Sequence, residues 1–212
     1  MADSELNPQS NPGSILNSDQ AKPSRRQQIL EALARQLEES PGERITTAGL
    51  AKAVGVSEAA LYRHFPSKAK MFEGLIEFIE DSIFGLINRI LSEEKSSVVR
   101  CEQIVKLLLT FAEKNAGMSR LLTGEALTGE TERLRIRIGK FFERFETQLK
   151  QVLREGEMNS ELSLDISVQA LANMMLALAE GHINQYVRSS FKCSPLTHWS
   201  DHWHIVKAAF LS

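Results

Sequence analysis

Hydrophobic residues recur every three or four positions along most of the chain. In the segment 25–40, Ile29, Leu33 and Leu37 fall on one stripe, which is the spacing of an amphipathic helix. The same spacing continues through the segments 71–91, 97–114, 131–157, 165–191 and 197–211. No segment shows the two-residue alternation of a half-buried strand. The pattern therefore predicts an all-α fold.

Helix start and stop signals crowd the stretch between residues 45 and 68. Thr46 and Ser57 each precede a short apolar pattern, where a hydroxyl can cap a helix. Gly55 stands where the first of these helices must end, the usual place for a left-handed residue. Pro66 ends the second helix, and Ser67 can cap a third. The order helix, short turn, helix predicts a helix-turn-helix motif.

Composition divides the chain into three parts. Residues 1–22 are rich in Ser, Asn, Pro and Asp without periodic hydrophobics, so we expect a disordered tail. We expect residues 23–67 to form the helix-turn-helix domain and residues 68–212 a larger helical domain. The first residues lack the basic and apolar regions of a signal peptide, and no apolar run is long enough to span a membrane. With two widely separated cysteines, these features predict a cytoplasmic protein.

Charge is distributed unevenly along the chain. Between residues 22 and 72 there are nine Lys and Arg against five Glu, a net charge of +4. The formal net charge of the whole chain is −2, so the remaining residues carry −6. A basic segment on an acidic remainder indicates a polyanionic partner at one end of the molecule.

The stretch VSEAALYRHFPSK, residues 56–68, has the chemistry expected of a helix that enters the DNA major groove. Such a helix needs small side chains where the backbone approaches DNA, and polar ones where it meets phosphates and base edges. Ala59 is small, and Ser57 offers a hydroxyl. Tyr62 and His64 carry hydrogen-bond donors on flat rings, and Lys68 begins the next helix, where it can hold a phosphate.

Structural roles for some of these residues compete with DNA binding. Tyr62 can cover the helix pair, His64 can cap carbonyl groups of its own helix, and Thr47 can serve as a second capping hydroxyl. Leu61 and Phe65 are four residues apart and are expected in the core.

The segment ITTAGLAKAVGVSEAALYRHFPSKAKMFEGLI, residues 45–76, resembles the signature of TetR-type regulators. Its matching features are a threonine-led second helix, a Gly-Val-Ser turn, a helix ending in Tyr-x-His-Phe, and a lysine that begins the fourth helix. MFEGLIEFIED, FFERFETQLKQVLRE and YVRSSFK are similar to the nucleoid occlusion branch of this family. The similarity covers most of residues 25–205.

The resemblance implies a homodimer without enzymatic activity or cofactor that binds palindromic chromosomal DNA. It also implies that the DNA-bound protein blocks polymerisation of the division protein FtsZ over the nucleoid. The implied DNA-facing residues are Thr47, Ser57, Ala59, Tyr62, His64 and Lys68. The last two helices, about residues 165–210, are expected to form a four-helix bundle with a second copy, through Leu171, Met175, Leu178 and His182.

The resemblance places the FtsZ-facing surface on the fourth and fifth helices. Phe78 and Leu107 match the family pattern, and Lys114 stands where an arginine is expected. Two positions depart from the pattern: Leu86 replaces an arginine and Thr110 replaces a glycine. Phe78 also lies among apolar neighbours, so a core position is the alternative.

Two other functions compete with this interpretation. A ligand-responsive TetR-type repressor would need a pocket in its C-terminal helices, with a lining such as Phe141, Phe142, Phe145 and Met174. A metal site would use Cys193, His198 and His202. Structural zinc usually takes four ligands at tighter spacing, so no metal is predicted. Trp199 and Trp203 are expected to form a packing stripe.

Overall fold

The fold is all-α, as the hydrophobic pattern predicted. A computed structural model describes residues 23–40 and 45–210, which form no strand. The predicted tail, residues 1–22, lies outside the described residues. The helices are α1 (Arg25–Glu39), α2 (Thr47–Val54), α3 (Glu58–His64), α4 (Lys68–Glu93), α5 (Ser97–Lys114), α6 (Ala116–Leu122), α7 (Glu132–Met158), α8 (Val168–Arg188) and α9 (Trp199–Phe210), with a short 3₁₀ helix (Glu125–Leu127) between α6 and α7.

The helix-turn-helix is built by the capping residues that the sequence indicated. Thr46 Oγ1 accepts a hydrogen bond from Gly49 N at 3.1 Å, and Ser57 Oγ accepts one from Ala60 N at 3.2 Å. Gly55 ends α2 with φ 71° and ψ 39°, a left-handed conformation that glycine adopts without steric cost. These local bonds fix the turn and the starting point of α3.

One continuous hydrophobic core runs from α1 to α9 and includes the helix-turn-helix. Leu61 and Phe65 are fully buried in it, as predicted, and they anchor α3 from its inner side. The guanidinium carbon of Arg26 lies 4.3 Å from the centroid of the Phe65 ring. The helix-turn-helix is therefore attached to the remaining helices through buried side chains as well as through the chain connection.

Helix α6 was not predicted from the sequence, and it packs against α1. All seven of its residues are buried. Gly117 packs so closely on α1 that an added Cβ would overlap the carbonyl oxygen of Ala34. Arg120 donates to Ser40 O at the end of α1, at 3.0 Å, and pairs with Glu125. α6 therefore holds α1 in place by packing and by hydrogen bonds.

The aromatic residues considered as a ligand-pocket lining are packed against one another. Phe141, Phe142 and Phe145 are buried, and the centroids of the Phe141 and Phe142 rings are 5.1 Å apart in an edge-on arrangement. Phe84 adds a second edge contact to Phe141 at 5.5 Å, and the partly buried Met174 packs against the same core. These side chains form part of the core and contact each other directly.

A pair of histidines joins α8 to α9. His182 Nε2 lies 2.9 Å from His202 Nδ1, and Trp199 stacks on Trp203 nearby, with ring centroids 5.8 Å apart. Burial lowers the pKa of His182, and the neighbouring His202 and His198 lower it further. The neutral form of His182 is therefore the one that the fold favours.

Among the described residues, no cluster of three or more His, Cys, Asp or Glu side chains could hold a metal ion. None of the described helices combines the length and apolar character that a bilayer crossing requires.

Candidate DNA-binding and partner-binding surfaces

The outer face of α3 presents polar side chains to solvent. Ser57, Ala59, Tyr62 and His64 are all exposed, whereas Leu61 points into the core. In the part of the chain that the structure describes, neither the Tyr62 hydroxyl nor the His64 ring has a hydrogen-bond partner. These groups are available to an external ligand, and their positions follow from the burial of Leu61.

Ser57 can cap its helix and donate to an external group at the same time. Its Oγ accepts from the backbone of Ala60, which leaves the hydroxyl hydrogen free to point outward. The exposed start of α3 therefore combines a hydroxyl donor with the positive end of a short helix.

Thr47 is engaged within the protein. Thr46 caps α2, so Thr47 is not the capping residue. Its hydroxyl donates to Glu58 Oε2 across the turn, at 2.7 Å. A hydroxyl has one hydrogen to donate, so Thr47 would have to release Glu58 in order to donate to a phosphate.

Lys68 is likewise held by a carboxylate. Its Nζ lies 2.6 Å from Glu130 Oε1, and 20% of its side chain and 12% of that of Glu130 are exposed. The ammonium also lies 5.5 Å from the centroid of the Phe72 ring. The partner of Lys68 was not anticipated from the sequence, because Glu130 lies 62 residues away.

The predicted partner-binding residues occupy different environments. Phe78 and Leu107 are partly buried and pack against the core, whereas Lys114 is exposed. A cavity of about 330 Å³ lies between α4 and α5. Its lining residues are Leu86, Arg89, Ile90, Glu93, Glu94, Gln103 and Leu107. Leu86, noted from the sequence as a departure from the family pattern, is 43% exposed and is the most exposed apolar group of this lining.

The residues predicted at the dimer interface lie mostly on the inner side of α8. Leu171, Met175 and His182 are buried within their own protomer, because α8 packs against α5, α6 and α7 and His182 contacts His202 of α9. A side chain that its own chain already covers cannot form an exposed contact surface, and only Leu178 of the predicted set is partly accessible.

The exposed side of α8 consists of small or polar residues that the sequence reasoning passed over. Asn173, Ala177 and Gly181 follow one another at four-residue intervals on this side. On α9, Ile205 is 62% exposed. The signal that could have found them is the four-residue recurrence of small side chains on a helix that is otherwise apolar.

Two family models match the chain. The bacterial regulatory proteins of the tetR family match residues 29–75, and the tetracyclin repressor-like C-terminal domain matches residues 95–210. The fold agrees with solved structures of the same type. A TetR transcription regulator from Haloarcula marismortui has a TM-score of 0.75 at 19% identity, over 89% of this chain and 98% of that one.

Two relatives that are closer in sequence than these structures are nucleoid occlusion factors. The nucleoid occlusion factor SlmA of Marinomonas sp. (strain MWYL1) is 60% identical over 185 residues, which cover 87% of this chain and 94% of that protein. That of Shewanella pealeana is 55% identical over 190 residues, covering 90% and 96%. The chain therefore belongs to the TetR-type DNA-binding regulators and, within them, to the family of the nucleoid occlusion factor SlmA.

Proposed function

We propose that the protein is a homodimer that binds palindromic chromosomal sites through α3 and, when bound to DNA, inhibits FtsZ polymerisation over the nucleoid. The observation that carries the proposal is the outer face of α3. Its exposed donors have no partners among the described residues, and the chain that carries them is 55–60% identical to nucleoid occlusion factors. Such donors suit the phosphates and base edges of a major groove.

The Tyr62 hydroxyl gives the sharpest test of the DNA-binding half. Tyr62→Phe keeps the ring and removes only the hydroxyl. A hydrogen bond to a charged group contributes about 1.5–3 kcal/mol, so two half-sites lose about 3–6 kcal/mol. Affinity for a palindromic duplex should therefore fall roughly 10²- to 10⁴-fold in a fluorescence anisotropy titration.

The second tyrosine supplies a matched control. The Tyr186 hydroxyl donates to Glu113 O at 3.2 Å inside the body. Tyr186→Phe should lower the melting temperature and leave DNA affinity unchanged. Tyr62→Phe should lower DNA affinity and leave the melting temperature unchanged. If Tyr62→Phe bound DNA as tightly as the wild type, our placement of the reading face, the exposed side of α3 with Ser57, Ala59, Tyr62 and His64, would be wrong.

We place the dimer contact on the exposed side of α8, around Asn173, Ala177 and Gly181, with Ile205 of α9 beside it. Small side chains allow two helices to approach closely, and two reading heads must be held about 34–36 Å apart on DNA. Ala177→Arg should yield monomers in analytical ultracentrifugation. The exposed α4 variant Asn88→Arg should remain dimeric. A dimeric Ala177→Arg protein would exclude this face.

We assign FtsZ to the surface between α4 and α5, with Phe78, Leu107 and Lys114 as the predicted contacts. Leu86 and Leu107 give the cavity there an apolar lining, with Arg89 and Glu93 beside them. Burial of one anchoring side chain in an interface contributes about 2 kcal/mol or more. Leu86→Asp should therefore reduce inhibition of FtsZ assembly at least about 30-fold while DNA affinity survives.

Ile136 provides the control for that experiment. It is an exposed apolar residue on α7, outside the cavity lining. Ile136→Asp should leave both DNA affinity and FtsZ inhibition unchanged. If the wild-type protein left FtsZ assembly unaffected with and without DNA, the division function would be refuted and a transcriptional role would remain.

A further inference from the structure

The cation predicted to bind a phosphate is already paired with an anion of its own chain. Lys68 is the first residue of α4, directly after the reading helix α3. Its ammonium lies 2.6 Å from a Glu130 carboxylate oxygen, and both side chains are largely withdrawn from solvent. A phosphate oxygen bound to Lys68 would occupy the same kind of position as this carboxylate oxygen.

The carboxylate is held in place by its backbone. Gly129 adopts φ 79°, which permits the tight turn that follows the 3₁₀ helix. Glu130 N then donates to Leu127 O at 3.1 Å. The Glu130 side chain therefore leaves a fixed turn and is directed at the start of α4.

The Lys68–Glu130 pair has the opposite polarity to the neighbouring ion pairs between α4 and α7. Arg133 on α7 lies 3.4 Å from Glu73 on α4, and Arg137 lies 2.6 Å from Glu80. In those two pairs α4 supplies the anion and α7 the cation. At the end nearest α3 the cation comes from α4, where a phosphate can compete for it.

We propose that Glu130 occupies the phosphate position of Lys68 in the DNA-free protein and thereby limits DNA affinity. This inference rests on the proposed DNA-binding function. Binding replaces the carboxylate with a phosphate, so the gain from the new contact is offset by the loss of the old one. Glu130 acts as an affinity-determining residue without touching DNA.

The exchange has a specific consequence for salt dependence. A lysine that neutralises a phosphate releases counterions and contributes about 0.9 to the slope of log K against log salt concentration. When Lys68 leaves Glu130, the freed carboxylate stays close to the phosphates and offsets part of the charge that Lys68 neutralises, so fewer counterions are released. Without the carboxylate, Lys68 contributes its full slope in each subunit.

The experiment compares Glu130→Gln with the wild type on one palindromic duplex at several salt concentrations. Affinity should rise roughly 2- to 30-fold, because a partly exposed ion pair contributes modestly and a dimer breaks two of them. The slope should steepen by up to about 1.8 per dimer. In the Lys68→Ala background, Glu130→Gln should change neither quantity.

Glu80→Gln is the matched control, since it removes an equal charge from the contact between α4 and α7, where Glu80 pairs with Arg137, without touching Lys68. The inference fails if Glu80→Gln tightens binding as much as Glu130→Gln, or if Glu130→Gln has the same effect in the wild-type and Lys68→Ala backgrounds. It also fails if Glu130→Gln has a wild-type melting curve but leaves the DNA affinity and the salt slope unchanged, while Tyr62→Phe weakens binding. The proposed DNA-binding face would then stand, without a role for Glu130. Unchanged binding of Tyr62→Phe would instead refute the proposed reading face.

Discussion

Replacing Gly117 with alanine should destabilise the protein, because the added methyl group meets the backbone of α1. The new Cβ would overlap Ala34 O and lie 2.9 Å from Glu38 N. Backbone atoms of a helix cannot rotate away as a flexible side chain can, so α1 and α6 must move apart. Overpacking of this kind typically costs about 1–3 kcal/mol, and the rigid neighbours place this site near the upper end.

Part of that loss is offset within α6 itself. Alanine favours a helix by up to about 1 kcal/mol over glycine. The net loss in the free energy of unfolding should therefore be about 2 kcal/mol, measured by urea denaturation with an unchanged m-value. Because α1 packs on α2 and α3, DNA affinity should fall as well, although the reading residues are intact.

Gly139 on α7 is the control for this substitution. A Cβ built there meets nothing within 4 Å, so Gly139→Ala should stabilise the protein by about 1 kcal/mol through helix propensity alone. The two alanine variants should thus differ by about 3 kcal/mol. If Gly117→Ala were as stable as Gly139→Ala, the close contact between α6 and α1 would not exist in solution.

Three further predictions test titration, burial and charge. Because burial lowers the pKa of His182, the unfolded state takes up the proton first as the pH falls below about 6.5. The free energy of unfolding should decline there, and less steeply in His182→Phe, as measured by urea denaturation at a series of pH values. Burial raises the pKa of Cys101 to about 12, so a thiol reagent should label exposed Cys193 in the native protein and Cys101 only after unfolding. Glu58→Gln removes an exposed charge from the reading face and should tighten DNA binding in a titration; unchanged affinity would place Glu58 away from the phosphates.

The helix boundaries of the helix-turn-helix could be predicted because the interactions that set them are local. Each capping hydroxyl bonds to an N–H three residues along the chain, as Thr46 does with Gly49 and Ser57 with Ala60. The left-handed turn at Gly55 depends on one residue. The sequence therefore contained both partners of every decisive contact within one short segment.

Helix α6 escaped prediction because its environment removes the usual signal. An amphipathic pattern arises when one face meets water and the other meets the core. All seven residues of α6 are buried, so no polar face repeats. Its position depends instead on contacts such as that between Arg120 and Ser40, which are 80 residues apart.

The inner and outer sides of α8 were hard to distinguish from the sequence for a related reason. Its sequence is apolar around much of its circumference, so hydrophobicity alone does not indicate which side meets the protomer core. Apolar character indicates that Leu171 and Met175 are buried without indicating against what, and the structure places both in the protomer core. The outward side carries Asn173, Ala177 and Gly181, whose small size suits a close helix contact while contributing little to a hydrophobicity pattern.

The exposed side of α3 shows the same difference between local and long-range information. Residue types at fixed spacing indicated where Tyr62 and Lys68 stand, since that information is local. Whether each group is available is a long-range property. The Tyr62 hydroxyl has no partner among the described residues, so a DNA contact would cost it no bond to them. Lys68 is already paired with Glu130, and if a phosphate displaces that carboxylate as we propose, equal contacts to DNA would yield unequal gains in affinity.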